Sequence, residues 1–161
     1  MTETVFIGLG ANLKDPAQTL RDAIVEIAAI DETQLLAQSQ LYTSTPMGPA
    51  DQPDYINAVV KLETRLAPHA LFSYTCRIEQ EHGRTRNGEH WGPRTLDLDI
   101  LLFGQQALND EQLTVPHYGL QEREFVIYPM LEIAPDLILP CGTPLQSLTQ
   151  RVPLNGMRPL N

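Results

Sequence analysis

The order of apolar patterns along this chain predicts an α+β fold: a ferredoxin-like (split βαβ) antiparallel sheet with helices packed on it and an irregular C-terminal segment. Three observations carry that expectation. Period-two runs recur at Thr4 to Leu9, Leu35 to Tyr42, Tyr55 to Arg65 and Leu96 to Phe103, each marking a strand. Two stretches of helical period, opened by Pro16 and Pro68, separate the first run from the second and the third from the fourth. At 161 residues the chain has the length of one domain, so residues 1–161 are expected to form a single unit.

The first strand ends in Gly8-Leu-Gly10, which a tight turn out of the strand explains; the third glycine of a dinucleotide fingerprint is missing, since Leu13 stands there. Asp15 is placed as N-cap of the first helix, whose buried stripe is Leu20, Ile24, Ile27 and Ala28. The second strand carries Leu35, Ala37, Ser39 and Leu41 on one face. Thr43 to Asp54 holds Pro46, Gly48, Pro49 and Pro53, a long loop of the kind that usually serves function. In the third strand Tyr55, Asn57, Val59 and Lys61 oppose Ile56, Ala58, Val60 and Leu62. The second helix runs to about His82 with Leu71, Phe72, Thr75, Ile78 and Glu79 on or near one face; Glu79 reads there as an ordinary surface acid. Gly104-Gln105 turns the chain into a short hairpin, and Phe125 to Ala134 is broken by Pro129. Four prolines after residue 139 leave room for one short helix around Leu145 to Gln150.

The fourth strand is where chemistry concentrates. Leu96, Leu98, Ile100 and Leu102 fall on one face, and Asp97 and Asp99 on the other with Leu101 and Phe103 further along. Asp is disfavoured in strands, and neighbouring carboxylates repel unless a cation lies between them. Mg²⁺ takes one or two carboxylates and completes its shell with water and substrate phosphate. Upstream, Arg77, Arg84, Arg86 and Arg94 place four of the eleven basic residues within eighteen positions, in a chain of net charge −9. Arginine forks bind phosphate bidentately, so paired acids, an arginine cluster and the aromatic Trp91 suit phosphoryl-type transfer. There is no Walker A loop and no kinase signature, so side chains must hold the phosphates. Asn57 suits the edge of a heterocycle, and His117 and Tyr118 suit a phosphate or a base.

Composition narrows the classes. With no Lys/Arg run, nucleic acid is not expected as a partner. Cys76 and Cys141 have no metal spacing and suggest no disulfide framework. No leader-like N-terminus and no span-length apolar run is seen, so a cytoplasmic location without membrane contact is expected, with a monomer as the default.

The segment from His90 through Leu101, with Arg94-Thr-Leu-Asp-Leu-Asp99 at its centre, resembles the signature of the hydroxymethyldihydropterin pyrophosphokinases, enzymes of folate synthesis. Similar stretches are Gly10-Ala-Asn-Leu13, Tyr42, Pro46 to Gly48, Asp51 to Ala58, Arg77-Ile-Glu79 with Gly83-Arg84, Leu113 to Tyr118, and Glu132 to Pro135. The resemblance covers about residues 4–140. It implies a single pyrophosphokinase domain that transfers the β,γ-diphosphate of ATP to the hydroxymethyl group of 6-hydroxymethyl-7,8-dihydropterin, releasing AMP. Asp97 and Asp99 would hold two Mg²⁺ ions, and Arg84 and Arg94 would grip the transferring phosphates. Arg86 and Trp91 would belong to a loop closing over ATP, with Glu79, Ile100, Thr114, His117, Tyr118 and Arg123 also on the ATP side. Tyr55 and Phe125 would sandwich the pterin, Asn57 would bond its polar edge, and Ser44, Thr45 and Met47 would line its pocket. Cys76 and Gln112 depart from the family pattern, where an amide and a basic residue are usual, which bears on ATP contacts. Another metal-dependent nucleotidyl or phosphoryl transferase, or a non-catalytic ligand-binding domain, are the competing readings of the same acids.

Overall fold

The computed structural model describes residues 2–12, 15–44, 55–82, 96–154 and 156–160. Its strands are β1 (Glu3–Ala11), β2 (Thr33–Gln38), β3 (Tyr42–Ser44), β4 (Tyr55–Thr64), β5 (Asp97–Phe103), β6 (Leu108–Asn109), β7 (Thr114–Val115) and β8 (Arg158–Pro159). The helices are α1 (Pro16–Ala28), α2 (Pro68–Glu81) and α3 (Glu124–Ile133), with a 3-10 turn at Leu145–Gln150. The main sheet runs β5-β1-β4-β3-β8, with β2 beside the other half of β4. All its pairings are antiparallel. This is the expected split βαβ order, with the Asp strand directly against the first strand.

Each face of the sheet has its own apolar layer. On one, Val5, Ile7, Leu9, Ile56, Ala58, Val60 and Leu62 meet Leu20, Ala23, Ile24 and Ile27 of α1 and Leu71 and Ile78 of α2. On the other, Phe6, Val59, Leu101 and Leu102 meet Val126, Ile127 and Met130 of α3 and Leu145 and Leu148 of the 3-10 turn. The irregular C-terminal segment therefore shares with α3 the cover of the apolar part of this face, and β8 adds a short strand beside β3. Among the described residues no helix is long and apolar enough to cross a membrane.

Several expectations need correction. The expected second strand splits at Ser39, whose buried hydroxyl accepts the Val59 N–H at 3.0 Å while its own N–H donates to the Val59 carbonyl at 2.9 Å. The side chain thus replaces a ladder partner, and β2 and β3 pair separately with β4. Asp15 does stand at the N-cap of α1, but with φ +54° and no side-chain cap bond, and Ala28 is exposed where Ala23 is buried. The alternation of β5 breaks in mid-strand: the register against β1 shifts between Phe6 and Ile7, leaving Leu101 as the extra residue. Leu102 consequently joins Leu101 on the α3 face, and Phe103 turns to the α1–α2 face, the reverse of the period-two reading. Finally, α3 continues through Pro129. An internal proline costs a helix about 3 kcal/mol, whereas burying Val126, Ile127, Pro129 and Met130 returns about 1.5–3 kcal/mol for each large side chain, so packing prevails.

One polar clamp ties α3 to the sheet edge. Glu132 accepts the Tyr42 hydroxyl at 2.5 Å, and each of its oxygens lies 3.1 Å from the Gln40 N. Burial first, and then the bond to Glu132, push the Tyr42 hydroxyl well above its ordinary pKa, so it remains a donor. Tyr42→Phe is expected to cost about 1.5–3 kcal/mol, the usual range for a hydrogen bond to a charged group. For a chain of this size that lowers Tm by roughly 3–10 °C in thermal unfolding. An unchanged Tm would show that the Gln40 amide alone satisfies Glu132.

Candidate active site

The register of the sheet assembles the site. Tyr42 pairs with Asn57, Asn57 with Gly10, and Gly10 with Asp97, so one row across four strands reads Tyr42, Asn57, Gly10, Asp97. In the next row on the same face, Val59 pairs with Gly8 and Gly8 with Asp99. Both acids therefore project on the α3 side, with a glycine opposite each. Two strand spacings separate the Asn57 and Asp97 backbones, about 10 Å.

Gly8 and Gly10 were expected to form a turn; they lie inside β1. A Cβ on Gly10 would stand 3.0 Å from Asn57 Oδ1, so the amide would have to give by a few tenths of an ångström. Glycine within a strand marks a close approach, and here the space a Cβ would take lies against the Asn57 amide at Gly10 and the Leu101 side chain at Gly8. That interior-glycine signal was present in the sequence beside the acids, but only the register shows which residues it serves.

Beside Asp99 stands a layered cluster from the connection between β7 and α3 and the first turn of α3. The His117 and Tyr118 rings stack at 4.5 Å. The Arg123 guanidinium lies 5.1 Å from the Tyr118 ring centre and 5.6 Å from that of Phe125, and Nη2 donates to the Tyr118 hydroxyl at 3.3 Å. Gly119 makes room for this, because a Cβ there would overlap the Arg123 side chain. Its N–H also donates to His117 Nδ1 at 3.0 Å, which assigns the ring proton of neutral His117 to Nε2. That Nε2 lies 3.8 Å from Asp99 Oδ1. Burial chiefly lowers the His117 pKa, Asp99 opposes the shift and Arg123 adds to it, so the ring is a neutral donor facing the acids. Gly119 escaped the sequence reading; nothing in the local pattern distinguishes it from a loop glycine.

Glu79 is not a surface acid. It is 5% exposed, and its Oε2 accepts the Leu98 N–H, between the two aspartates, at 2.8 Å. Ile100 is buried in the α1–α2 layer and Thr114 is exposed on β7. Ser44 closes β3 opposite Tyr55. Thr45, Met47, Arg84, Arg86, Trp91 and Arg94 lie outside the described residues. Cys76 and Gln112 share a groove of about 420 Å³ with Phe72, Ser73, Arg77 and Gln80.

The donor set tests which metal suits the site. Among the described residues no three His, Cys, Asp or Glu side chains cluster as metal ligands. Two carboxylates on one strand face fit a hard cation that keeps water and substrate oxygens in its shell, as Mg²⁺ does, and not a closed Zn²⁺ cage.

The family model described as 7,8-dihydro-6-hydroxymethylpterin-pyrophosphokinase (HPPK) matches residues 6–135. The chain belongs to this family. It is 48% identical over 160 residues to a 2-amino-4-hydroxy-6-hydroxymethyldihydropteridine pyrophosphokinase of Pseudomonas aeruginosa, covering 99% of this chain and 98% of the relative. The enzyme of the same name from Haemophilus influenzae is 47% identical over 158 residues, with 98% of each chain covered. Among solved structures, Plasmodium falciparum HPPK-DHPS matches with a TM-score of 0.73 at 12% identity. That likeness shows the fold; it covers 94% of this chain and 42% of the other, so the present chain spans less than half of the HPPK-DHPS polypeptide. Membership of the HPPK family selects pyrophosphoryl transfer to hydroxymethyldihydropterin among the competing readings of the chain.

Proposed function

We propose that this HPPK-family chain is a Mg²⁺-dependent enzyme that transfers the β,γ-diphosphate of ATP to 6-hydroxymethyl-7,8-dihydropterin. The reaction class, pyrophosphoryl transfer to hydroxymethyldihydropterin in folate biosynthesis, is that of the family. What supports the finer reading is the row Asn57–Gly10–Asp97, which sets a heterocycle-recognising amide and a metal-binding acid on one face with glycine between them.

In this reading Asn57 bonds the polar edge of the pterin while Tyr55 and Phe125 cover its two faces, with Ser44, Thr45 and Met47 at its rim. That placement sends the hydroxymethyl group past Gly10 toward Asp97 and Asp99. The acids would hold Mg²⁺, which would supply charge neutralisation at the phosphates. The pterin hydroxyl oxygen attacks the β-phosphorus, the bond from that phosphorus to the α–β bridging oxygen breaks, AMP departs and the hydroxyl proton passes to solvent. Catalysis of this kind is mostly positioning and charge stabilisation. His117 presents its Nε2–H, and Arg123 its guanidinium, to ATP oxygens. Arg84 and Arg94 grip the diphosphoryl group, and Arg86 and Trp91 close over the nucleotide. The groove bearing Cys76 and Gln112 takes the nucleoside end, with uncharged Gln112 offering an amide there. The domain acts as a monomer on small molecules.

The nucleotide product tests this. Incubated with ATP, Mg²⁺ and the pterin alcohol, the protein is expected to release AMP in equal amount to pterin diphosphate, and EDTA is expected to stop it. Release of ADP, or turnover undiminished by EDTA, would overturn the donor or the metal assignment respectively.

A further inference from the structure

We infer that Glu79 is a positioning residue: its buried carboxylate, reaching from α2, holds the edge strand β5 at Leu98 and so sets the spacing of Asp97 and Asp99. This deepens the proposed function and rests on those acids holding the metal.

The place of the bond makes the argument. Among the described residues β5 is an edge strand of the main sheet with β1 as its neighbour, and the acids occupy its first and third residues. Strand ends are where local opening is easiest, and an edge strand has a ladder on one side alone. Yet phosphate-bridging cations demand carboxylates held to within a fraction of an ångström. The Leu98 amide, between the two acids, donates to Glu79 Oε2 at 2.8 Å. A buried carboxylate is costly unless it accepts such bonds, and charge-assisted bonds are the stronger kind. Glu79 is fixed in turn by the helix beneath it, where Leu71, Thr75 and Ile78 are buried with it. Packing of α2 thus reaches the backbone that carries both acids through the Glu79–Leu98 hydrogen bond, beside the apolar contact of the two elements.

Two conservative variants separate reach from charge. Glu79→Gln keeps an oxygen at the same distance and loses the charge; Glu79→Asp keeps the charge and withdraws the oxygen by one methylene. Mn²⁺ affinity in the presence of ATP and hydrogen exchange of the Leu98 amide are measured on the full chain. Glu79→Asp is expected to weaken Mn²⁺ binding ten- to hundredfold, in the range found when a group supporting a metal ligand is lost, and to speed Leu98 exchange by about tenfold or more. Glu79→Gln is expected to change each by about threefold at most. The reverse ranking would show that the charge acts directly on nucleotide or metal, and would overturn the inference. Faster Leu98 exchange in Glu79→Asp with unchanged Mn²⁺ affinity would also overturn it, leaving Glu79 a merely structural anchor. Failure of the underlying metal reading is distinguishable: Asp97→Ala would then bind Mn²⁺ with ATP as well as the wild type does.

Discussion

Replacing Asp97 or Asp99 by alanine is expected to lower kcat/KM by about a thousandfold or more, corresponding to roughly 4 kcal/mol of lost transition-state stabilisation. The size follows from the proposed reaction: a transferring diphosphoryl group is stabilised mainly by fixed opposing charge, and each acid would hold part of that charge in place. Stability is expected to move little at Asp99. Its side chain is about half exposed, and its contact with His117 Nε2 is a loose 3.8 Å. Aspartate is disfavoured in strands, and two like charges at neighbouring same-face positions repel, so removing one relieves strain in the folded state. Asp99→Ala is therefore expected to keep Tm within about 2 °C of the parent, or to raise it, while activity collapses. This is the signature of residues retained for chemistry against a stability cost. Wild-type turnover in both variants would remove the acids from the mechanism. A fall in Tm of about 10 °C would show them to be structural.

The fold was legible because it depends on periodicity. Ile56, Ala58, Val60 and Leu62 were assigned to one face of β4 and all four pack there; the stripe of α2 was similarly plain. What escaped depends on register and neighbours, which no local pattern records. Gly8-Leu-Gly10 has the composition of a turn, and its place in the middle of β1 is set by pairing with Asn57 and Asp97 at once. Leu101 is one more leucine in an apolar run, yet it is the inserted residue that sends Leu102 and Phe103 to the opposite faces from those expected. Ser39 interrupts a strand because its hydroxyl competes for a backbone amide. Glu79 lay on the correct stripe but was read as exposed, since a buried acid is improbable until its backbone donor is identified. That Asp97 and Asp99 share one face was legible because it depends on period two before the bulge. Acids in an apolar strand violate local preference, which is why they drew the proposal of a metal site.

Phe125→Ala is expected to weaken pterin binding by about 10- to 100-fold while changing ATP binding by no more than about threefold, measured by equilibrium titration of each ligand. Stacking a heterocycle on an aromatic face, together with the apolar area it covers, is worth about 1.5–3 kcal/mol, which sets the first range. The second needs more argument, because Phe125 also faces Arg123, assigned to the ATP side. The guanidinium lies 5.6 Å from the Phe125 ring centre but 5.1 Å from that of Tyr118, to whose hydroxyl it also donates. Truncating Phe125 removes the weaker of two supports, and the open space at Gly119 continues to admit the arginine. Arg123 therefore stays in place, and nucleotide affinity with it. The complementary variant makes the test two-sided: Tyr118→Ala takes away both the nearer ring and the hydroxyl, so it is expected to weaken ATP more than pterin. If both variants weakened both ligands equally, His117, Tyr118, Arg123 and Phe125 would act as one structural unit, and the division of that stack between the two substrates would be wrong.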